Sequence, residues 1–317
     1  MRPVWVETSY RLEYMLGEFP LTRLDLGALQ PDRFFLDLPD DPGELVDLAP
    51  TRGPVVIPSL PVRHPLSRLA IRGGRIRYLV YRFPRHLLRF HETFDEYMKS
   101  LGSNTRYAVR KAIRKVRKQG EGACRLEEYR SPREVVPFLE AAGDISSRTY
   151  QTRVLKAGVS DDPATRRELE QRAEAGEFRS FILWLGDRPI SYMLGTTRGR
   201  IYRQDHIGFD PAYYDLGPGR ALHGLAVERL HDSQDYDLFD FTPGGGAHKE
   251  RHSTDRVECV DLVYLPFGPR GVILVASHLL LQGVSRGAVR VMDALGLKER
   301  IKKLVRGLGE EQRLTPT

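Results

Sequence analysis

The residues of this 317-residue chain with the clearest chemical meaning lie between Arg200 and Arg229. An extended run, Ile201-Tyr202-Arg203-Gln204-Asp205-His206-Ile207-Gly208-Phe209, leads through Asp210-Pro211-Ala212-Tyr213-Tyr214-Asp215-Leu216 into Gly217-Pro218-Gly219-Arg220. Leu222, Leu225, Ala226 and Leu230 then recur at helical spacing, with Glu228, Arg229 and Asp232 on other faces. A strand, a short glycine turn and a helix start bring unpaired N–H groups and the positive end of a helix dipole to one point, a place suited to phosphate. Gly217 and Gly219 let the backbone approach a pyrophosphate, and Pro218 fixes φ where no N–H is needed. The plain alternative is a strand-to-helix turn without a ligand. The pattern is neither a Walker loop, which requires Gly-Lys-Ser/Thr, nor the three-glycine dinucleotide fingerprint.

Around this stretch the composition is that of a soluble globular protein, with 41% apolar and 29% charged residues. The length suffices for two domains and a sizeable core. A net charge of +7, from 49 basic and 42 acidic residues, favours an anionic partner: nucleic acid, an acidic membrane surface or a polyphosphate cofactor. Cys124 and Cys259 stand far apart with no CxxC partner, which argues against a zinc site or a disulfide framework and for a reducing cytoplasm. Met1 to Glu7 lacks a signal-peptide core, and the most apolar run, Gly271 to Leu281, is too short to span a bilayer. The expectation is a cytoplasmic protein.

The elements that must position the glycine turn follow from local signals. Residues 1–92 are strand-rich, with short apolar or alternating runs such as Pro54-Val55-Val56-Ile57 and Arg77-Tyr78-Leu79-Val80-Tyr81 punctuated by Pro and Gly. His64, His86 and His91 stand apart and read as surface or satisfied histidines. Residues 93–120 form a basic connecting helical segment in which Val109, Ala112, Ile113 and Val116 make one stripe and cations cover the rest. Such a helix packs by its stripe with a solvated charged face, or lies on nucleic acid or acidic lipid. Gly120 and Gly122 end it. Residues 121–266 then read β-α-α-β-β-β-α-β-(short helix)-β: a strand from Ala123 to Tyr129, a capping box at Ser131-Pro132-Arg133-Glu134 opening a helix towards Tyr150, a helix from Asp162-Pro163 to Gly176, a hairpin about Gly186-Asp187, the Arg200 strand, the glycine turn with its helix, and strands at Asp237–Phe241 and Arg256–Leu265. Residues 267–317 read as amphipathic helix with a cationic end at Lys298, Arg300, Lys302, Lys303 and Arg306.

This order resembles the GNAT superfamily of acyl-CoA-dependent acyltransferases, in the branch of the Fem-like peptidyltransferases and the cellulose-biosynthesis-type (CelD-like) acetyltransferases. Three features carry the likeness: the basic helix Arg106 to Lys118, the segment Tyr213 to Leu222 with Gly217-Pro218-Gly219, and Asp240-Phe241-Thr242-Pro243-Gly244 followed by His248-Lys249. The resemblance implies an α/β (α+β) fold with a mixed central sheet flanked by helices, in two tandem GNAT-like halves of which the N-terminal one is degenerate. Tyr214 stands where the family's loop usually opens with Gln or Arg, and Arg220 is the substitute cation. His248 stands where the Fem-like branch commonly has an aromatic residue before the lysine.

Carried onto this chain, the resemblance implies that Gly217, Pro218, Gly219 and Arg220 hold the pyrophosphate of acyl-CoA, most simply acetyl-CoA. The pantetheine arm would run along Gln204 to Phe209, past Ile207, Gly208 and Phe209, where a splayed backbone could polarise the thioester carbonyl. Transfer to an amine needs a base, for which His206 has the ordinary pKa and Asp205 is the second choice, and an acid, for which Tyr213 or Tyr214 is placed. Side-chain alternation allows only one of Asp205 and His206 to face the cleft. The paired plain readings are a polar strand position with its neighbour, and two packing aromatics over a loop.

Asp240 and Lys249 are the substrate-binding candidates, Lys249 for a phosphate or carboxylate of the acceptor. His248 and His252, at i and i+4, could ligate a metal if helical, but lack an evident third ligand, so no metal is expected. Two further readings compete: an aminoacyl-tRNA donor, served by the basic helix, and a non-catalytic binding protein on a vestigial fold. The C-terminal tail either packs on the domain or rests weakly on an acidic membrane surface, which would make the protein peripheral at the inner membrane.

Overall fold

A computed structural model describes residues 3–16, 19–91, 93–120, 123–148, 159, 161–244 and 246–294, with side chains excepted at 19, 20 and 288–294. The expected cationic residues Lys298 to Arg306, the glycine at 122 and the helix end near Tyr150 lie outside them. The chain forms two compact units, one of residues 1–82 with 259–317 and one of residues 83–258. Strands β5 (Arg75–Arg89) and β11 (Asp255–Pro266) contribute residues to both.

The unit of residues 83–258 carries the candidate site. Its strands are β6 (Cys124–Tyr129), β7 (Ser180–Leu185), β8 (Arg188–Arg198), β9 (Ile201–Phe209) and β10 (Leu238–Pro243), with the end of β5 beyond β10. Neighbours pair antiparallel except β9 and β10, which are parallel. Successive side chains leave opposite faces of a strand, and β7 shows the result: Phe181 and Leu183 enter one core and Ile182 the other. The first core lies under α3 (Ser103–Gln119) and α6 (Pro218–Ser233), the second under α4 (Pro132–Arg148) and α5 (Pro163–Glu174). A short helix, α7 (Ala247–His252), follows β10. A mixed sheet flanked by helices is the expected fold class.

Local sequence explains these helices. Glu134 accepts from the N–H groups of Arg130 and Ser131, both at 2.8 Å, and starts α4. Asp162 accepts from Ala164 and Thr165 at the start of α5, which ends at Gly176 with φ of 72°. The stretch Thr93 to Gln119 is two helices, α2 (Phe94–Ser100) and α3, parted at Leu101 and Gly102. Val109, Ala112 and Val116 bury the stripe of α3, Arg106 is half-buried against the Met98 and Lys99 carbonyls, and the other cations of the helix are exposed. The crossing with α6 is close: a Cβ on Gly224 would lie 2.7 Å from Val109 Cγ1.

The other unit contains the hairpin of β1 (Trp5–Leu16) and β2 (Phe19–Pro31), then α1 (Gly43–Asp47), β3 (Val55–Pro61), β4 (Leu69–Arg72), and α8 (Pro269–Ala294). β2 and β3 are parallel, while β3 with β11 and β4 with β5 are antiparallel. Leu12, Val56, Tyr78, Val80, Val263 and Val275 form its core.

Candidate active site at a fork between parallel strands

The ladder between β9 and β10 runs through three pairs, Ile201 with Leu238, Tyr202 with Phe239 and Arg203 with Asp240, and goes no further. β9 continues to Phe209, whereas β10 turns away. Thr242 takes a left-handed φ of 64°, and after a register shift Pro243 pairs with Arg85 of β5. On the other side of β9, Leu194 faces His206 and Gly195 faces Gln204, so Asp205 is the extra residue of a β-bulge. The two irregularities open a fork whose β9 edge, from Gln204 onward, has lost its β10 ladder. Backbone donors and acceptors along such an edge can pair with an extended chain carrying amides.

The glycine turn sits beyond the end of that edge. Asp210, held by Arg148 at 2.6 Å, accepts from the Ala212 N–H and starts a short 3-10 turn over Pro211–Leu216. Gly217 then adopts φ 68° and ψ 48°, a left-handed conformation that favours glycine, and Pro218 opens α6. The Gly217 N–H donates to the Tyr214 carbonyl and the Arg220 N–H to the Gly217 carbonyl, each at 3.0 Å. The Gly219 N–H, in the first turn, has no intrahelical acceptor and is the backbone donor at the helix start. Two cations flank it: Arg220 is exposed, and Lys115 of α3 donates to the Asp215 carbonyl at 2.7 Å. Lys115 is a neighbour that sequence reasoning did not assign, because α3 reaches the turn only through packing, with Ala112 Cβ 3.4 Å from a Cβ placed on Gly217.

The sequence candidates take distinct places here. His206 is exposed on β9. Asp205 accepts from Thr196 Oγ1 at 2.5 Å and pairs with Arg203 at 2.9 Å, so both its oxygens are engaged. Ile207 packs on the core, Gly208 lies over the Tyr192 ring, and Phe209 sits with its centroid 6.3 Å from that of Tyr214. Tyr213 is half-buried against the core, while Tyr214 is 69% exposed. Tyr214 is therefore the freer of the two hydroxyl-bearing rings.

Asp240 and Lys249 come together at the bend of β10. Asp240 is fully buried, gripped by Arg85 through Nε at 3.1 Å and Nη2 at 2.5 Å, and its Oδ1 also accepts from the Thr242 N–H at 2.9 Å. A carboxylate so enclosed braces the bend and has no surface to offer a ligand. Lys249, on α7, donates to the carbonyls of Thr242 and Pro243 at 3.1 and 2.9 Å. An ammonium has three N–H groups, so one remains for an acceptor. Burial lowers the Lys249 pKa, against the raising influence of Asp240.

Next to Lys249, His248 and His252 do lie on one helix, and their neighbour is His223 of α6. The ring centroids are 5.0 Å (His223–His248), 4.3 Å (His223–His252) and 4.7 Å (His248–His252) apart, against Phe239 and Phe241. Burial pushes His248 down to about 4 and His252 to about 3, and His223 well below its usual range, so all three are neutral near pH 7. Among the described residues no group of three or more His, Cys, Asp or Glu is disposed to hold a metal ion.

Residues 103–250 match the family of the acetyltransferase (GNAT) domain. No curated protein matches the chain by sequence. Among solved structures, the C-terminal domain assigned to a lysylphosphatidylglycerol synthetase from Agrobacterium fabrum is similar over 83% of this chain and 85% of its own, at 10% identity and a TM-score of 0.50. L-PGS from Bacillus licheniformis (12% identity, 86% and 89% covered) and FemX (10%, 82% and 88%) each give a TM-score of 0.48. At such identities the first likeness is one of fold.

Proposed function

We propose that this chain, whose residues 103–250 match the acetyltransferase (GNAT) domain family, transfers an acyl group, most simply acetyl, from acyl-CoA to an amine. The observation that carries the reading is the fork at Arg203 and Asp240, with the Asp205 bulge in the β8 ladder opposite its free edge and the Gly217–Arg220 turn at its mouth. The Gly219 N–H, Arg220 and Lys115 would hold the pyrophosphate, and the β9 edge from Gln204 to Phe209 would pair with the pantetheine amides. A backbone N–H of β9 would polarise the thioester carbonyl. The acceptor nitrogen attacks the carbonyl carbon and gives its proton to His206. The C–S bond breaks, and the leaving thiolate takes a proton from Tyr214. The one N–H of Lys249 not taken by Thr242 and Pro243 would meet an anionic group of the acceptor.

Thermal unfolding with and without acetyl-CoA and a longer acyl-CoA tests this, with Gly219→Trp as control. A ligand that binds only the folded state raises Tm by linkage. The reading requires a rise that disappears in Gly219→Trp, where the new side chain meets Phe209, already 3.4 Å from a Cβ at that position. Absence of a rise with every acyl-CoA overturns it.

A second reading, an aminoacyl-tRNA donor, is favoured by one observation. The outer face of α3 borders a groove of about 570 Å³ lined by Arg106, Arg110, Arg114 and Arg117, with Phe94 and Tyr107 beside them and the carboxylates Asp95 and Glu228 also on its wall. Among the described residues Arg110, Arg114 and Arg117 form no ion pair. Arginines spaced along a helix can contact successive phosphates, and such binding weakens steeply with salt. RNA binding that falls steeply with salt and is lost in Arg110→Ala/Arg114→Ala, without any acyl-CoA shift, would select this reading.

A further inference from the structure

Helix α8 is amphipathic twice over. Its inner side is anchored: Val275 and His278 are buried, the His278 Nδ1 and the Tyr78 hydroxyl share a hydrogen bond of 2.6 Å, and the His278 Nε2 lies 3.1 Å from the Glu13 carbonyl oxygen. Its outer side leaves Val272, Ile273, Leu280 and Val284 exposed by 46%, 66%, 71% and 53%. At about 100° per residue, Ile273, Ala276, Leu280 and Val284 form one outward stripe, with Arg270 at its border and Arg286 further round, towards the Val275 side. All six are exposed. From Leu262 to Met292 the chain has no Asp or Glu, although it carries 42 acidic residues in all.

We propose that this outer face of α8 docks on an anionic lipid bilayer, lying in the plane of the surface. An apolar stripe bordered by Arg270, on a stretch without carboxylates, fits that interface: the stripe enters the acyl boundary and the guanidinium group stays among the phosphates. No helix among the described residues is long and apolar enough to cross a membrane, so the contact is a surface one. A second copy is the less fitting occupant. Between copies, Arg270 would find no carboxylate on the facing helix, since the chain has no Asp or Glu from Leu262 to Met292, whereas anionic lipid supplies phosphate.

The test uses the full chain carrying Leu280→Trp, with vesicles of phosphatidylcholine alone or mixed with phosphatidylglycerol. With phosphatidylglycerol present, the fluorescence difference from the parent protein shifts to the blue and is quenched by brominated acyl chains. Ile273→Asp/Leu280→Asp lowers co-sedimentation about tenfold, as expected for charges placed in the acyl boundary, while Ile71→Asp, on the equally exposed β4 (67%), leaves it unchanged. These positions are exposed, so thermal unfolding of the variants should match the parent. Loss of sedimentation shared by Ile71→Asp, or an emission that stays unshifted, overturns the proposal. So does a dimer that Leu280→Asp splits with no vesicle binding, which would make the face a contact between copies.

Discussion

Arg85 and Asp240, 155 positions apart in sequence, meet inside the protein as a bidentate ion pair with side chains only 9% and 0% exposed. Burying two charges is costly, and the pair is tolerated because each satisfies the other while Thr242 supplies one more hydrogen bond. Removing one partner strands the other. Asp240→Leu should therefore destabilise the protein by about 3–5 kcal/mol. The double variant Arg85→Met/Asp240→Leu should recover much of the loss, measured by urea unfolding. Equal losses in the single and double variants would contradict this account.

The buried imidazoles predict a pH dependence. His248 at about 4, His252 at about 3 and His223 below its ordinary value are all depressed by burial, whereas the unfolded chain binds their protons near 6.5. The folded state thus holds fewer protons between those limits. Its stability from this source is full above about pH 6.5 and is lost as pH falls from there towards the folded values. Tm measured from pH 7.5 to 4.5 should decline with a slope that His252→Phe reduces.

Gly224 is predicted to resist any side chain with volume. A Cβ there already meets Val109 Cγ1 at 2.7 Å and Ile113 Cδ1 at 3.1 Å, so Gly224→Val forces α3 and α6 apart. Overpacking of this kind costs about 1–3 kcal/mol. The drop in Tm should be partly reversed by Val109→Ala, which makes room.

His206→Ala tests the proposed base. Loss of general-base catalysis should lower kcat by about 10²–10⁴-fold, while the Tm rise given by acyl-CoA persists, because His206 lies outside the glycine turn. Lys249→Met should instead raise KM for the acceptor with a smaller change in kcat. An unchanged kcat in His206→Ala would remove that residue from the mechanism.

Much of the element order was legible because its signals are local. Glu134 caps α4 from the expected place, although Ser131 Oγ donates to its carboxylate and does not accept the Glu134 N–H; the Asp162 cap and the Gly186 turn lie where the sequence puts them, and β6 begins at Cys124 where the sequence suggests Ala123. The site was less legible, because its shape comes from pairing between distant strands. Alternation along β9 suggested that only one of Asp205 and His206 could face the cleft, but the bulge opposite Gly195 breaks the alternation at that residue. Asp240 could be named as a candidate from its motif, yet its role as a brace depends on Arg85, which no spacing reveals. His248 and His252 were visible as a helical pair; His223 became their neighbour only when α6 and α7 packed. The Leu101–Gly102 break has a local signal, since Gly102-Ser103-Asn104-Thr105 interrupts the apolar spacing between Leu101 and Ala108.

Two strands joined through three residue pairs and then parted behave like tongs. The hinge is the short ladder, and the span between the arms is governed from outside them. One arm, β9, leans on β8 along its length; the other, β10, is tied back to β5 through Arg85. The width available to anything lying between the arms is therefore a property of their outer supports, so residues that never touch a ligand can set how thick a ligand fits.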